Sequence, residues 1–189
     1  MADIHPVLKN RQSRRSFSSQ PVEPEKLETL LEAFRWAPSS NNRQPWRIVV
    51  VRSPDAHKRF DECLSESNRQ WATAAPVKMI ILGHPEEQPE RNGQQRYLLD
   101  VGLAIENLLI QGCALGLTSH AMAGWEEEKV IELFHVPKPF RVAALFAVGY
   151  PGKLDELHPD VQKKEQAPPS RKPPEEIFFW DDFGKKGKA

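Results

Sequence analysis

Apolar residues recur with the spacing of an α-helix in two long segments of this chain. Between Leu27 and Phe34 they occur at positions i, i+3, i+4 and i+7, which predicts an amphipathic helix from Pro24 to about Trp36. Residues 97–117 also have helical spacing, but they are apolar on nearly every face. Such a helix must be covered on all sides, and in so short a chain we expect a second subunit to supply part of that cover.

Three shorter apolar runs, rich in β-branched residues, predict buried strands over residues 46–51, 77–82 and 141–148. Ser53-Pro54 has the features of an N-cap followed by a first helical turn, so it predicts a helix directly after the first strand. No segment is repeated along the chain.

The chain beyond Gly152 is polar and rich in proline, apart from the apolar cluster Ile-Phe-Phe-Trp at residues 177–180. Four large apolar side chains in a polar segment need a surface that covers them. We therefore predict one domain over residues 1–160 and a C-terminal arm over residues 161–189 that packs on a partner subunit.

Composition narrows the classes of function. The 189 residues include 26 basic and 26 acidic side chains, so the formal net charge is zero and we expect neither a nucleic acid nor an anionic membrane as partner. No run reaches the roughly 18 apolar residues of a membrane span, and the N-terminal residues lack the basic and apolar regions of a signal peptide. The two cysteines are too few for a disulfide framework or a zinc site. We expect a reduced, cytoplasmic protein without a metal site.

A cluster of basic and hydroxyl side chains lies near the N-terminus. Arg11, Ser13 and Arg15 occupy positions i, i+2 and i+4. Guanidinium groups and a hydroxyl all donate hydrogen bonds to anionic oxygens, so this cluster suits a phosphate. The alternative is a basic turn that is simply solvated.

A second polar cluster, residues 38–46, ends at the first predicted strand and reads Pro-Ser-Ser-Asn-Asn-Arg-Gln-Pro-Trp. Its hydroxyl and amide side chains both donate and accept hydrogen bonds, which suits the polar edge of a flat heterocycle. An ordinary turn before a strand has the same composition and is the alternative.

Taken in order, the two clusters resemble the nitroreductase family, the FMN-dependent NAD(P)H oxidoreductases. The family's Pro-Ser-x-x-Asn-x-Gln-Pro-Trp loop is complete here, and the resemblance runs from about residue 4 to about residue 180. Further short motifs agree in order and spacing: Ala75-Pro76-Val77, Asp100, Asn107-Leu108-Leu109, Leu115-Gly116-Leu117, Gly149-Tyr150-Pro151 and Arg171-Lys172-Pro173. The resemblance implies an α+β, three-layer FMN-binding fold that forms an obligate homodimer, exchanges its C-terminal arms and holds two FMN molecules at the interface.

The resemblance also implies roles for the N-terminal cluster. Arg11 and Ser13 would bind the FMN phosphate and ribityl region, and Arg15 would reach the pyrimidine edge of the flavin. Two-electron reduction places negative charge at the flavin N1–C2=O locus, so a fixed cation there raises the reduction potential. The resemblance further implies that the second cluster reaches the isoalloxazine ring from the other subunit, through Pro38, Ser39, Ser40 and Asn42.

Three further positions match the family. Asn68 would face the flavin pyrimidine, although a helix-terminal Asn is an equal alternative. The backbone N–H groups of Ala123 and Gly124 would approach flavin N5. Arg171 would be a second phosphate ligand. The chain departs from the family at two places, because Trp71 and Pro169 stand where some relatives have basic residues.

The implied activity is electron transfer from NADH or NADPH through flavin N5 to a nitroaromatic, quinone or similar flat acceptor, in a ping-pong sequence. No catalytic side chain is required, since the cofactor carries the chemistry. Neither a GxGxxG nor a Walker motif is present, so NAD(P)H would not bind through a Rossmann element. Two alternatives remain open: the same fold with other flavin chemistry, such as reductive dehalogenation or flavin fragmentation, and a non-catalytic flavin-binding dimer.

Overall fold

A computed structural model describes residues 3–187 of the chain. Residues 1–2 and 188–189, the outermost residues of the two predicted segments, lie outside this description. The helices within it are α1 (Pro6–Asn10), α2 (Pro24–Arg35), α3 (Pro54–Cys63), α4 (Glu66–Ala72), α5 (Arg96–Ala114), α6 (Glu127–Leu133) and α7 (Pro159–Gln166). The strands are β1 (Trp46–Val51), β2 (Val77–Gly83), β3 (Thr118–Met122) and β4 (Arg141–Gly149).

The four strands form one antiparallel sheet in the order β1-β2-β4-β3. Successive side chains of a strand point to opposite faces, and in β2 this separates Ile80 and Leu82 from Met79 and Ile81. The first pair packs in a core with residues of α3, α4, α6 and α7, and the second pair in a core with residues of α2 and α5. Helices therefore cover both faces of the sheet, which makes an α+β fold of three layers.

The elements with the strongest apolar periodicity in the sequence were predicted correctly. Helix α2 and strands β1, β2 and β4 lie where the apolar spacing placed them, within one residue at each end. Helix α3 begins as its cap predicted, because the Ser53 Oγ accepts the backbone N–H of Ala56 at 3.1 Å.

The number of strands was predicted wrongly, because β3 was missed. Its sequence, Thr-Ser-His-Ala-Met, has no apolar alternation, and it is held by pairing with β4 rather than by its own pattern. Helix α5 is correspondingly shorter than predicted and ends at Ala114. Helices α4 and α7 were also missed. Each is short and polar, and α7 buries a single apolar residue, Val161.

Helix α5 is apolar around its circumference, and a single chain covers only part of it. Val101, Ala104 and Leu108 are fully buried, whereas a patch consisting of Leu98, Leu99 and Leu103 remains 39–62% exposed. By length and composition α5 could cross a membrane, but a core helix of a soluble protein passes the same test.

The predicted division between residues 160 and 161 falls inside α7. Val161 is buried and belongs to the same apolar core as Ile80 and Leu82 of β2, so the chain stays attached to the domain as far as this helix. Beyond it, the arm exposes Ile177, Phe178 and Phe183, the last to 94%.

Candidate functional site

The segment that carries Arg11 and Arg15 is tied to the end of β4. The backbone N–H of Gly152 donates to the Ser16 carbonyl at 3.0 Å, and Ser18 donates to the Tyr150 carbonyl at 2.9 Å. A Cβ atom on Gly152 would lie 2.5 Å from the carbonyl carbon of Phe17, so only glycine allows the two backbones to approach this closely.

Four of the predicted residues, Arg11, Ser13, Arg15 and Arg171, line one cavity of about 210 Å³. The Arg11 guanidinium donates to the Ser13 hydroxyl at 3.2 Å, while Arg171 is exposed and donates to its neighbour's carbonyl at 2.7 Å. Arg14 and Lys164 also line the cavity, so five cationic side chains surround it against one carboxylate. A cavity of this charge attracts an anion.

That carboxylate belongs to Glu165, which sequence reasoning missed. Glu165 Oε2 accepts the backbone N–H of Arg15 at 2.9 Å, Oε1 accepts the Ser16 hydroxyl at 3.2 Å, and Oε2 lies 4.0 Å from the Arg15 guanidinium. Its side chain is only 5% exposed. Glu165 therefore fastens α7 to the N-terminal segment and orients Arg15. The available signal was weak: Pro159 suits a first helical turn, and Glu165 follows it within the same short helix.

Arg15 lies against a stack of aromatic rings. Its guanidinium carbon is 5.9 Å from the Trp71 ring centroid, and Trp71 packs on His120 with ring centroids 4.5 Å apart. His120 Nδ1 is 3.1 Å from the Arg14 carbonyl. Burial lowers the pKa of His120, and the nearby Arg15 charge lowers it further, so the imidazole is neutral at pH 7. Arg15 is thus the cation of this stack.

Asn68 and Gly124 lie beside this stack. Asn68 Nδ2 donates to the Gly124 carbonyl at 3.0 Å. A Cβ on Gly124 would be 2.6 Å from the Ser65 hydroxyl and 3.0 Å from Asn68 Nδ2, so the backbone here approaches α4 closely. Asn68 precedes Trp71 by one turn of α4, and the exposed Ala123 directly follows β3, which contains His120. The predicted N5 contact and the N-terminal cluster therefore adjoin.

The loop of residues 38–44 does not join this cavity within one chain. Ser40 lines a different cavity, and its N–H donates to Asp100 on α5 at 3.3 Å. The Ser39 hydroxyl accepts the N–H of Gln44 at 2.9 Å, and Asn42 adopts a positive φ of 54°. Pro38, at the start of the loop, is exposed. Within the described chain, this loop and the N-terminal cluster therefore line separate cavities.

Comparison with known proteins identifies the family of this fold. The model of the nitroreductase family matches residues 8–80 and 63–150. A protein from Thermus thermophilus named NADH dehydrogenase is 28% identical in an alignment of 209 positions, gaps included, which covers 94% of this chain and 96% of that protein. A crystal structure described as an oxidoreductase containing FMN is 30% identical, with a TM-score of 0.87 over 98% of this chain and 95% of that one. A nitroreductase family protein from Clostridium difficile 630 has the same fold, with a TM-score of 0.78 at 24% identity over 94% of this chain and 97% of that one.

Proposed function

We propose, from the premise that this chain belongs to the nitroreductase family, that it is an FMN-dependent oxidoreductase whose electron donor is NADH or NADPH. The observation that carries the proposal is the convergence of Arg11, Ser13, Arg15 and Arg171 on one cationic cavity. The FMN-containing relative at 30% identity and the relative named NADH dehydrogenase support it.

The residues present fit the phosphate end of FMN, because guanidinium and hydroxyl donors suit a phosphate. Asn68, which donates to the Gly124 carbonyl, offers polar groups that suit the pyrimidine edge of the flavin. When bound, FMN would supply the chemistry by accepting a hydride at N5 and passing the electrons on.

The side chains of this protein would bind FMN and orient it. Arg11 and Ser13, already joined by a hydrogen bond, would hold the phosphate together with Arg171. Arg15 would keep a positive charge beside the flavin pyrimidine, and Glu165 would hold its backbone in place. Trp71 and His120 form an apolar layer next to Arg15, which strengthens the effect of its charge by keeping water away.

We propose that the acceptor is a nitroaromatic, a quinone or a similar flat molecule, and that it enters after the oxidised donor leaves the same pocket. Such an acceptor stacks on the cofactor and needs no acid or base from the protein. This sequence of events is a ping-pong mechanism.

We also propose that the site is completed in a homodimer. The exposed leucine patch on α5 and the apolar side chains of the arm both need a covering surface. The loop of residues 38–44 does not line its own chain's first cavity, as expected if it serves the partner's FMN. In this proposal the arm beyond α7 exchanges between subunits, and the dimer works in the cytoplasm, where Cys63 and Cys113 stay reduced.

The spectrum of the purified protein tests this function. We expect non-covalent FMN at one per chain, and bleaching of its visible absorbance by NADH or NADPH, reversed by menadione or nitrofurazone. FAD in place of FMN, or no binding of added FMN, would reject the proposal. Bound FMN that no dinucleotide reduces would favour a non-catalytic flavin protein.

Deleting residues 175–189 is expected to weaken both the dimer and FMN binding, because it removes Ile177, Phe178 and Phe183 from the proposed interface. Light scattering would measure the mass, and fluorescence titration the FMN affinity. The control is the double variant Glu175→Gln and Glu176→Gln, which alters the same exposed segment without removing apolar surface. A truncated protein that remains dimeric with full FMN affinity would exclude the proposed role of the arm.

Replacing Arg15 with alanine is expected to lower the two-electron potential of bound FMN, since a cation beside the pyrimidine favours the negatively charged reduced form. Glu165→Gln, which removes the negative charge 4.0 Å from Arg15, should shift the potential in the opposite direction. Dye equilibration at saturating FMN measures both. Unchanged potentials in both variants would place Arg15 away from flavin N1.

A further inference from the structure

A second cavity, of about 230 Å³, lies between the loop of residues 38–44 and the polar loop before α5. It is lined by Ser40, Asn41, Arg43, Gln88, Pro89, Glu90, Arg91 and Arg96. Three guanidinium groups therefore surround one space against a single carboxylate, in a chain whose formal net charge is zero.

These three arginines lack carboxylate partners. Within residues 3–187, no ion pair shorter than 4.0 Å involves Arg43, Arg91 or Arg96, although neighbouring Arg47 pairs with Glu87 at 2.8 Å. The one acidic lining residue, Glu90, instead accepts a hydrogen bond from Gln95 at 2.7 Å. One carboxylate against three guanidinium groups leaves the cavity with a net positive charge.

Nearby acidic and amide side chains form hydrogen bonds that position the residues lining this cavity. Asp100 stands one helical turn after Arg96, but its Oδ1 accepts the N–H of Ser40, which holds the loop against α5. Gln88 is 5% exposed, and its Oε1 accepts from the Arg43 guanidinium at 3.1 Å. Arg43 is thus held in place, while the side chains of Arg91 and Arg96 make no hydrogen bond within the described chain.

One arginine placed by hydrogen bonds, beside two whose guanidinium donors are unused within the described chain, is suited to an anion with several oxygens. Phosphate is the best such anion, because guanidinium groups bind it through paired hydrogen bonds. Of the molecules that the proposed reaction requires besides FMN, only the donor carries phosphate. The cavity also begins at Ser40, on the loop that would lie against the partner subunit's flavin.

We propose that this cavity binds a phosphate of the dinucleotide donor and thereby positions its nicotinamide, an inference that rests on the proposed function. The phosphate is either the pyrophosphate, which NADH and NADPH share, or the 2′-phosphate that only NADPH carries. Both have the same chemistry toward arginine, so the experiment must separate them.

The test uses FMN-loaded protein with Arg91→Gln or Arg96→Gln. Arg52→Gln serves as the control, because Arg52 is exposed, has no ion pair in the described chain and does not line this cavity. Stopped-flow reduction would be followed with NADPH, with NADH and with 1-benzyl-1,4-dihydronicotinamide, a donor without phosphate. Calorimetry with ADP and 2′,5′-ADP would measure binding without turnover.

Each cavity variant is expected to weaken dinucleotide binding about tenfold or more, the effect of losing one charge-assisted hydrogen bond. The rate with the phosphate-free donor should be unchanged. If affinity falls for both dinucleotides and for ADP, the cavity binds the pyrophosphate. If affinity falls only for NADPH and 2′,5′-ADP, the cavity binds the 2′-phosphate. Either result supports the proposal.

The proposal would be overturned if the cavity variants bound both dinucleotides as tightly as the wild type. It would also be overturned if the rate of FMN reduction fell equally with the phosphate-free donor. If no donor, including the phosphate-free one, reduced the FMN, the proposed function itself would fail. The nucleotide titrations would then still decide whether the cavity binds phosphate, with no difference between wild type and the cavity variants counting against it.

Discussion

Replacing Arg11 with alanine is expected to weaken FMN binding by about 10- to 150-fold and to leave riboflavin binding nearly unchanged. A hydrogen bond to a charged group contributes roughly 1.5–3 kcal/mol, which corresponds to that range of affinity. Riboflavin lacks the phosphate, so the loss should be confined to the ligand that carries it.

The structure gives two reasons why Arg11 should matter more than Arg171. Arg11 is half-buried and its guanidinium is held by Ser13 at 3.2 Å, so little side-chain freedom is lost on binding. Arg171 is exposed on the arm and bonds only to the adjacent carbonyl.

Fluorescence titration of the apoprotein with FMN and with riboflavin would measure the difference. Lys9→Ala is the matched control, since Lys9 is a nearby cation that pairs with Asp3 at 2.7 Å and does not line the cavity. Equal losses for FMN and riboflavin would mean that Arg11 does not contact the phosphate.

Much of the fold could be predicted because its central elements carry their own periodic signal. Strands β2 and β4 lie in the middle of the sheet with helices on both faces, so they are apolar along most of their length, apart from Lys78 in β2 and Arg141 at the start of β4. The bounds of α2 could be read from its apolar stripe and its N-terminal proline.

The elements that escaped prediction depend on partners distant in sequence. Strand β3 is an edge strand whose backbone pairs with β4, and that pairing requires no apolar pattern in β3 itself. Helix α7 is held by Val161 and by Glu165, whose hydrogen bonds reach across about 150 residues to Arg15 and Ser16. No local pattern reports such a contact.

In the candidate site, too, the residues that are close in sequence could be predicted from their spacing, and those brought together by the fold could not. Arg11, Ser13 and Arg15 lie close in sequence, so their convergence on one cavity follows from local spacing. The position of Arg171 on that cavity was expected only from the family resemblance. The three arginines of the second cavity come from two separate loops and the start of α5, and the net charge of zero conceals them.

The largest effect on stability is expected from a buried ion pair beneath the site. Lys78, on β2, is fully buried, and its ammonium group donates to Asp61 on α3. Helix α3 leads directly into Leu64, which bridges to Trp125 beside Gly124. The pair therefore supports the layer on which the proposed N5 contact rests.

Asp61→Asn is expected to reduce the free energy of unfolding by about 3–5 kcal/mol at pH 7, because it leaves a buried cation without its counter-ion. The decrease in the free energy of unfolding is limited by the cost of deprotonating Lys78. Lysine can instead give up its proton, and from a reference pKa of about 10.4 this costs about 4.6 kcal/mol at pH 7, or 3.4 units at 1.36 kcal/mol each. Urea unfolding measures the change, and Asp55→Asn in the same helix, an exposed carboxylate, should cost less than about 1 kcal/mol.

The pH dependence separates this explanation from a general packing defect. Burial lowers the pKa of Lys78, and the hydrogen bond that Lys78 donates to Asp61 opposes that shift, so removing the Asp61 carboxylate lowers the pKa further. Between the folded and unfolded pKa values the unfolded chain binds more protons, and the free energy of unfolding therefore rises with pH. The stability lost in Asp61→Asn should therefore shrink from pH 7 to pH 9 by up to about 2.7 kcal/mol, two units at 1.36 kcal/mol each.

Adding Lys78→Met to Asp61→Asn should restore stability at pH 7, because no buried charge then remains. A loss of stability that is equal at both pH values and persists in the double variant would contradict the role given to this ion pair.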